Sequence, residues 1–142
     1  MNINELRIGN LVTDQWYESF KTILKVESIN ENGINLQIED DGNWSECAQR
    51  WIGEEYKIGE IYPIPLTKEL LDKTNLEKVD FYYHIYKGRY EVTPMAKPYW
   101  GIWLGKIESL PDTQEFMTGI EYLHELQNIY FALTSTELEI NL

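Results

Sequence analysis

Residues 119–134, Gly-Ile-Glu-Tyr-Leu-His-Glu-Leu-Gln-Asn-Ile-Tyr-Phe-Ala-Leu-Thr, form the longest run with helical periodicity, and that run constrains the fold more than any other. A step of roughly 100° per residue gathers Tyr122, Leu123, Leu126, Ile129, Tyr130 and Leu133, with Ile120 and Phe131 at one margin. Glu121, His124, Glu125 and Asn128 share the opposite side. The apolar arc takes in about half the circumference, wider than a lone surface helix needs, so the sequence predicts a core helix covered on more than one flank. Gln127 falls inside the arc, where a buried amide needs partners, and reads as a structural lock. A glycine is expected to stop such a helix, and Thr134-Ser135-Thr136 stands there instead.

Upstream, residues 1–64 read as a small all-β unit. A short strand over Leu6–Val12 is interrupted by Gly9, which suits a bulge or tight bend. The stretch Phe20–Ile29 alternates with Leu24 and Val26 on one face. A turn over Asn30–Gly33 leads to the alternating Ile34, Leu36 and Ile38, and Asp40–Asn43 makes a second turn. Weaker strands are predicted over Trp44–Trp51 and Tyr56–Ile61. Five short strands in this space fit an SH3-like or otherwise strongly bent barrel.

The next stretch carries helix signals. Pro65 keeps its predecessor extended, Thr67 is a good N-cap, Glu69 sits in the first turn, and Leu66 and Leu71 have the spacing of a hydrophobic staple. A helix over Lys68–Thr74 follows, closed by a left-handed Asn75. Val79–Gly105 then reads as a three-strand aromatic meander, with Pro94 and Pro98 bracketing one loop. Glu137–Ile140 reads as a final strand or a loose end. The whole is an α+β fold in a single 142-residue domain. It has a β-rich lobe at 1–64 and a helix–meander–helix lobe at 65–142.

Three of these stretches together resemble a group of small proteins of gut-type anaerobic bacteria and their prophages or mobile elements. They are Tyr122–Thr134 followed by Glu137–Ile140, Glu5–Val12 and Ile64–Leu71. Each is a phrase of apolar periodicity and caps. The resemblance implies a compact cytoplasmic protein and transfers no site residues.

Charge narrows the function classes. The net charge of −12 disfavours direct nucleic-acid or anionic-membrane binding, which relies on Lys and Arg. Acids outnumber bases 12 to 5 in residues 1–66, bases outnumber acids 7 to 5 in 67–106, and 107–142 hold seven acids and no base. The middle reads either as complementing its acidic neighbours or as a binding face around Lys87, Arg89, Lys97 and Lys106. There is no membrane-length apolar run and no signal peptide, so a cytoplasmic location is expected. The single Cys47 forms no internal disulfide.

No motif for phosphate cradling, dinucleotide binding, zinc or serine hydrolysis occurs, and no cofactor, metal or catalytic residue is expected. His124 among Glu121 and Glu125 has the look of a carboxylate-held base and equally of a solvated helix face. Cys47 reads as a structural thiol, and the acidic run Glu39–Glu46 as an ordinary turn whose calcium-loop match fails. The largest functional share goes to aromatics. Trp100 and Trp103 lie on opposite faces of one strand, so one of them is exposed unless both faces are covered. With His84, Arg89 and Lys87 they form the expected binding set. The leading expectation is a non-enzymatic binding or adaptor protein with a protein partner. The alternatives are an acidic decoy mimicking DNA toward a DNA-binding enzyme, and a small enzyme whose site is assembled from distant residues.

Overall fold

The computed structural model describes residues 3–14, 23–30, 33–40, 55–56, 61–86, 89–105 and 115–141. It is an α+β fold, rich in strands, and divides into two compact units, 1–64 and 65–142.

The first unit is one antiparallel sheet. Its strands are β1 (Leu11–Asp14), β2 (Ile23–Asn30), β3 (Gly33–Asp40), β4 (Glu55–Tyr56) and β5 (Ile61–Tyr62), in the order β4-β3-β2-β1-β5. The last strand thus returns to the first, as a bent barrel requires. Register shifts in β2, at Ile23/Leu24 and Val26/Ser28, supply the local twist that bends such a sheet. Along β2 and β3 the alternation is as the sequence predicts, with Leu24, Val26, Ile34 and Leu36 buried together with Leu6, Val12 and Ile61. A fully buried aliphatic of this kind contributes about 1.5–3 kcal/mol.

The predicted strand over Leu6–Val12 begins only at Leu11. Gly9 has φ 96°, a left-handed backbone that glycine adopts freely, and Asn10 turns the chain by accepting the Arg7 N–H on Oδ1 at 2.7 Å. The turn hooks onto β2 through Gly9 N–H to Val26 O and Val26 N–H to Asn10 O. The Trp44–Trp51 strand lies outside the described residues, as do 31–32 of the first predicted turn, whose ends Asn30 and Gly33 pair, and 41–43 of the second. Of the predicted strand Tyr56–Ile61 only the two ends are described, Tyr56 in β4 beside β3 and Ile61 in β5 beside β1, and residues 57–60 lie outside the described residues.

The second unit holds a sheet of β6 (Glu77–Val79), β7 (Tyr82–Ile85), β8 (Tyr90–Pro94), β9 (Trp100–Leu104) and β10 (Glu115–Ile120), each paired with its sequence neighbour. The sequence predicts three of these. β6 is too short and too charged to announce itself, and the end of β10, Gly119 and Ile120, falls in the predicted helical run.

Helix α1 (Lys68–Leu71) is capped as predicted, Leu70 N–H donating to Thr67 Oγ1 at 3.2 Å, and both staple residues are buried. It is shorter than predicted, and Asn75 is not left-handed. The chain's end captures this segment instead. Thr74 bridges Ile140, Asn75 N–H donates to Glu139 O and Asn141 N–H to Lys73 O, so Glu137–Ile140 is tied down and Leu138 is buried.

Helix α2 (Leu123–Thr134) starts four residues later than the periodic run. Glu125 fixes the corner, its Oε1 accepting the Tyr122 N–H at 3.1 Å and the Glu121 N–H at 3.3 Å. The buried face is Leu123, His124, Leu126 and Gln127, rotated away from the predicted arc, so Ile129, Tyr130 and Leu133 are only partly covered. His124, expected on the polar side, is 1% exposed. At the other end Ser135 takes the left-handed position expected of glycine, φ 59°, with its N–H on Phe131 O.

Candidate functional site

Directly opposed residues on neighbouring antiparallel strands share a face, so the registers sort the second sheet into two sides. One side carries the rows Ile120–Trp100–Pro94, Thr118–Ile102–Val92–Tyr83–Lys78 and Leu104–Tyr90–Ile85. Ile120, Ile102, Val92, Tyr83 and Ile85 are all buried there. This is the helical side. The Tyr83 hydroxyl donates to Asp72 just after α1, and the Trp100 indole N–H donates to Leu66 O at 3.1 Å. α2 is tied to the same segment by Asn75 Nδ2 to the Tyr130 hydroxyl at 3.5 Å.

Electrostatics on this side serve the fold. Asp72 accepts from Tyr83 and pairs with Lys78 at 3.0 Å, which holds its carboxyl below the usual range. Burial and the adjacent Asp72 carboxylate push the Tyr83 phenol up. Tyr122 is pushed up by burial and by Glu121.

The opposite side carries one unbroken row across all five strands, Glu77–His84–Glu91–Trp103–Phe116, beside a second, Thr93–Gly101–Gly119. Its inner half is polar and enclosed. Glu91 is 0% exposed, and His84 Nε2 stands 3.4 Å from its Oε1, with the Tyr82 ring 5.5 Å from the imidazole. Its outer half is apolar and reaches solvent. The Trp103 indole N–H donates to Thr93 Oγ1 at 3.0 Å, and the ring meets Phe116 edge-on with centroids 5.0 Å apart. Such an aromatic pair is worth roughly 0.5–1.5 kcal/mol beyond its area. Phe116 remains 46% exposed and Met95, from the β8–β9 connection, 43%.

Two glycines face each other beneath this surface. At Gly101 a Cβ would stand 2.8 Å from both Met95 Sδ and Trp103 Nε1, so the missing side chain is what lets Met95 and the indole settle there. Gly119 has no such neighbour; a Cβ would meet only Trp100 O, at 3.8 Å, and the residue is exposed. Met95 and the indole therefore cover the backbone at Gly101, while the backbone at Gly119 on β10 is left exposed.

Of the expected binding residues, Trp103 and His84 are brought into one row. Trp100 lies on the other side of the sheet, against Tyr83 with ring centroids 6.4 Å apart. Arg89 is exposed just before β8, where its carbonyl accepts the Gly105 N–H, and it does not share the Trp103 row. Lys87 lies outside the described residues. Sequence reasoning missed Phe116, Met95 and Glu91. Gly119 is hidden at the start of the helical run, and Phe116 by reading its stretch as the lead into that helix. Glu91 was legible in retrospect as the residue placed opposite His84 by a hairpin between them.

Elsewhere, a shallow groove of about 300 Å³ is lined by Lys73, Thr74, Asn75, Glu139, Ile140 and Asn141, whose backbone groups are largely spent on one another. Among the described residues, no group of three or more His, Cys, Asp or Glu is arranged to hold a metal ion, and no helix is long and apolar enough to cross a membrane. Comparison with protein-family models, with curated proteins and with solved structures gives no match in any of the three.

Proposed function

We propose that this chain is a non-enzymatic binding or adaptor protein that engages a protein partner through the outer half of the Trp103 row. We place it in the cytoplasm, in a phage or mobile-element setting, as the resemblance of its three stretches implies. The observation that carries the reading is the exposed Phe116 and Met95 surface, backed by Trp103, with Met95 and the indole seated over Gly101. Large rigid aromatics and methionine are the side chains that dominate protein interfaces, because they bury much area at little entropic cost. On the same face His84 and the buried Glu91 stand 3.4 Å apart, away from the exposed Phe116. The reading is tested by capture from a lysate of gut-type anaerobic bacteria, using wild type and Phe116→Ser as baits and identifying retained proteins by mass spectrometry. A protein that survives a high-salt wash on wild type and is lost on the variant is expected. Equal capture by both baits, or capture that vanishes in salt for both, contradicts it, the latter in favour of an acidic decoy.

A further inference from the structure

We infer that Met95 is a modification site: a hydroperoxide converts its thioether to the sulfoxide, and in that form the surface around Phe116 no longer takes a partner. This rests on the proposed protein-binding role and adds its regulation. The step needs no cofactor. A lone pair on Sδ attacks one oxygen of hydrogen peroxide, the S–O bond forms as the O–O bond breaks, and the other oxygen leaves as hydroxide. The proton of the transferred oxygen passes to that hydroxide through solvent, giving water. Sulfur gives up two electrons and the peroxide takes them.

Met95 is both open and engaged. It is 43% exposed, within reach of a small oxidant. Its backbone is held where the β8–β9 connection closes, Met95 N–H donating to Tyr99 O at 3.1 Å and Tyr99 N–H to Ala96 O at 3.0 Å. From there the side chain lies over the buried Gly101, where a Cβ would stand 2.8 Å from Sδ and 3.3 Å from Cγ. Trp103 Nε1 stands 2.8 Å from the same point. Sulfur and indole edge therefore flank one spot, the kind of contact a polarizable thioether makes with a ring.

An oxygen on that sulfur disturbs the contact whichever way it points. The sulfoxide is polar and accepts hydrogen bonds, and the indole N–H beside it is already given to Thr93 Oγ1 at 3.0 Å. Taking that N–H from Thr93 shifts the indole against Phe116. Pointing to solvent instead sets a polar group in the middle of the apolar surface. In either case a partner must cover a polar oxygen, and an unmet polar group at an interface lowers affinity about tenfold. Met117 supplies the contrast. It is as open, at 45% exposed, but it stands in the β10 bulge with no residue of β9 opposite it. The atoms nearest the Gly101 seat belong to Met95 and Trp103, so oxygen on Met117 should leave the indole where it is.

The test treats the whole chain with hydrogen peroxide, stops the reaction with catalase, maps added oxygen by peptide mass spectrometry and follows the Trp103 indole N–H by NMR. That signal is identified by its absence from Trp103→Phe. Capture is read as the amount of the lysate protein that wild type retains and Phe116→Ser loses, each bait being compared with its own untreated sample. Expected are one oxygen on Met95, and a moved Trp103 N–H in wild type and Met117→Leu but not in Met95→Leu. Peroxide should lower capture about tenfold in the first two and no further in the third. The two methionine sulfoxide reductases, one for each epimer, should restore both signals. Met95→Gln, a polar side chain of similar length, should lose capture about tenfold without peroxide. An unmodified Met95 where Met117 is oxidised, or an equal indole shift in Met95→Leu, would overturn the inference. Phe116-dependent capture that survives full oxidation of Met95 overturns the regulation and leaves the binding role standing. If Met95 is oxidised with the expected shift but no capture depends on Phe116 even before treatment, the binding role falls and the regulation with it.

Discussion

Gly101 and Gly119 sit directly opposite each other on β9 and β10, yet alanine at the two positions should move stability in opposite directions. At Gly101 the new Cβ would lie 2.8 Å from Met95 Sδ and 2.8 Å from Trp103 Nε1. The thioether can swing aside at small cost. The indole cannot, because it is a rigid ring held between Thr93 and Phe116, so relief of the clash breaks its bond to Thr93 Oγ1 and loosens the edge-on contact with Phe116. Losing a hydrogen bond costs about 1 kcal/mol and a forced shift in a packed site about 1–3 kcal/mol, so Gly101→Ala should destabilise by roughly 2–3 kcal/mol. At Gly119 the nearest atom is 3.8 Å away and φ is not in the left-handed region, so alanine gains the usual benefit over a strand glycine, about 0.5–1 kcal/mol. Urea unfolding followed by circular dichroism measures both. Near-ultraviolet spectra should change for Gly101→Ala and not for Gly119→Ala. Equal effects at the two positions, or a stabilising Gly101→Ala, would refute the packing described for Met95 and Trp103.

Further outcomes follow from single contacts. Ser135→Gly should stabilise by about 0.5–1 kcal/mol in thermal unfolding, since a non-glycine residue there holds φ 59° at a cost. Glu91→Gln keeps shape but sets an amide in place of a carboxyl against His84, and disturbing that buried polar contact should cost about 1–3 kcal/mol in urea unfolding. Asp72 has a folded pKa below its unfolded value of about 3.9, so its contribution is present above that pH and is lost as pH falls through the folded value. The stability gap between wild type and Asp72→Asn should therefore be constant from neutral pH down to about 5, and should close only below about 4 in pH-resolved urea unfolding. Trp100→Phe should lose the bond to Leu66 O, about 1 kcal/mol, and leave partner capture intact.

The readable parts of this fold were those where local chemistry and tertiary context agree. Thr67 caps its helix because its hydroxyl satisfies a backbone donor three residues on, and β2 and β3 bury the residues their alternation marks. The less readable parts were decided by contacts distant in sequence. Asn75 was free, on local grounds, to close α1 in a left-handed turn, but Glu139 lies 64 residues away in the chain and claims it for a ladder. Ile120 fits a helical arc as well as a strand, and pairing with Trp100 settles which. His124 shows the same limit, since α2 is rotated so that an imidazole rather than Ile129 or Leu133 is enclosed. For the candidate site, the aromatic strand pointed to Trp100 and Trp103 alike, and only the fold separates them, with Trp100 against Tyr83 on the helical side and Trp103 in the other row. The partners of Trp103 were not legible, because Met95, Phe116 and the two glycines converge only through registers that one sequence does not display.

The most direct test of the proposed binding surface is a site-specific photo-crosslinker placed at Phe116 and, separately, at Phe131, which is also exposed but lies on α2. The account expects a discrete crosslinked partner from the lysate at position 116 and none at 131. Adducts at both positions, or at 131 alone, would contradict it.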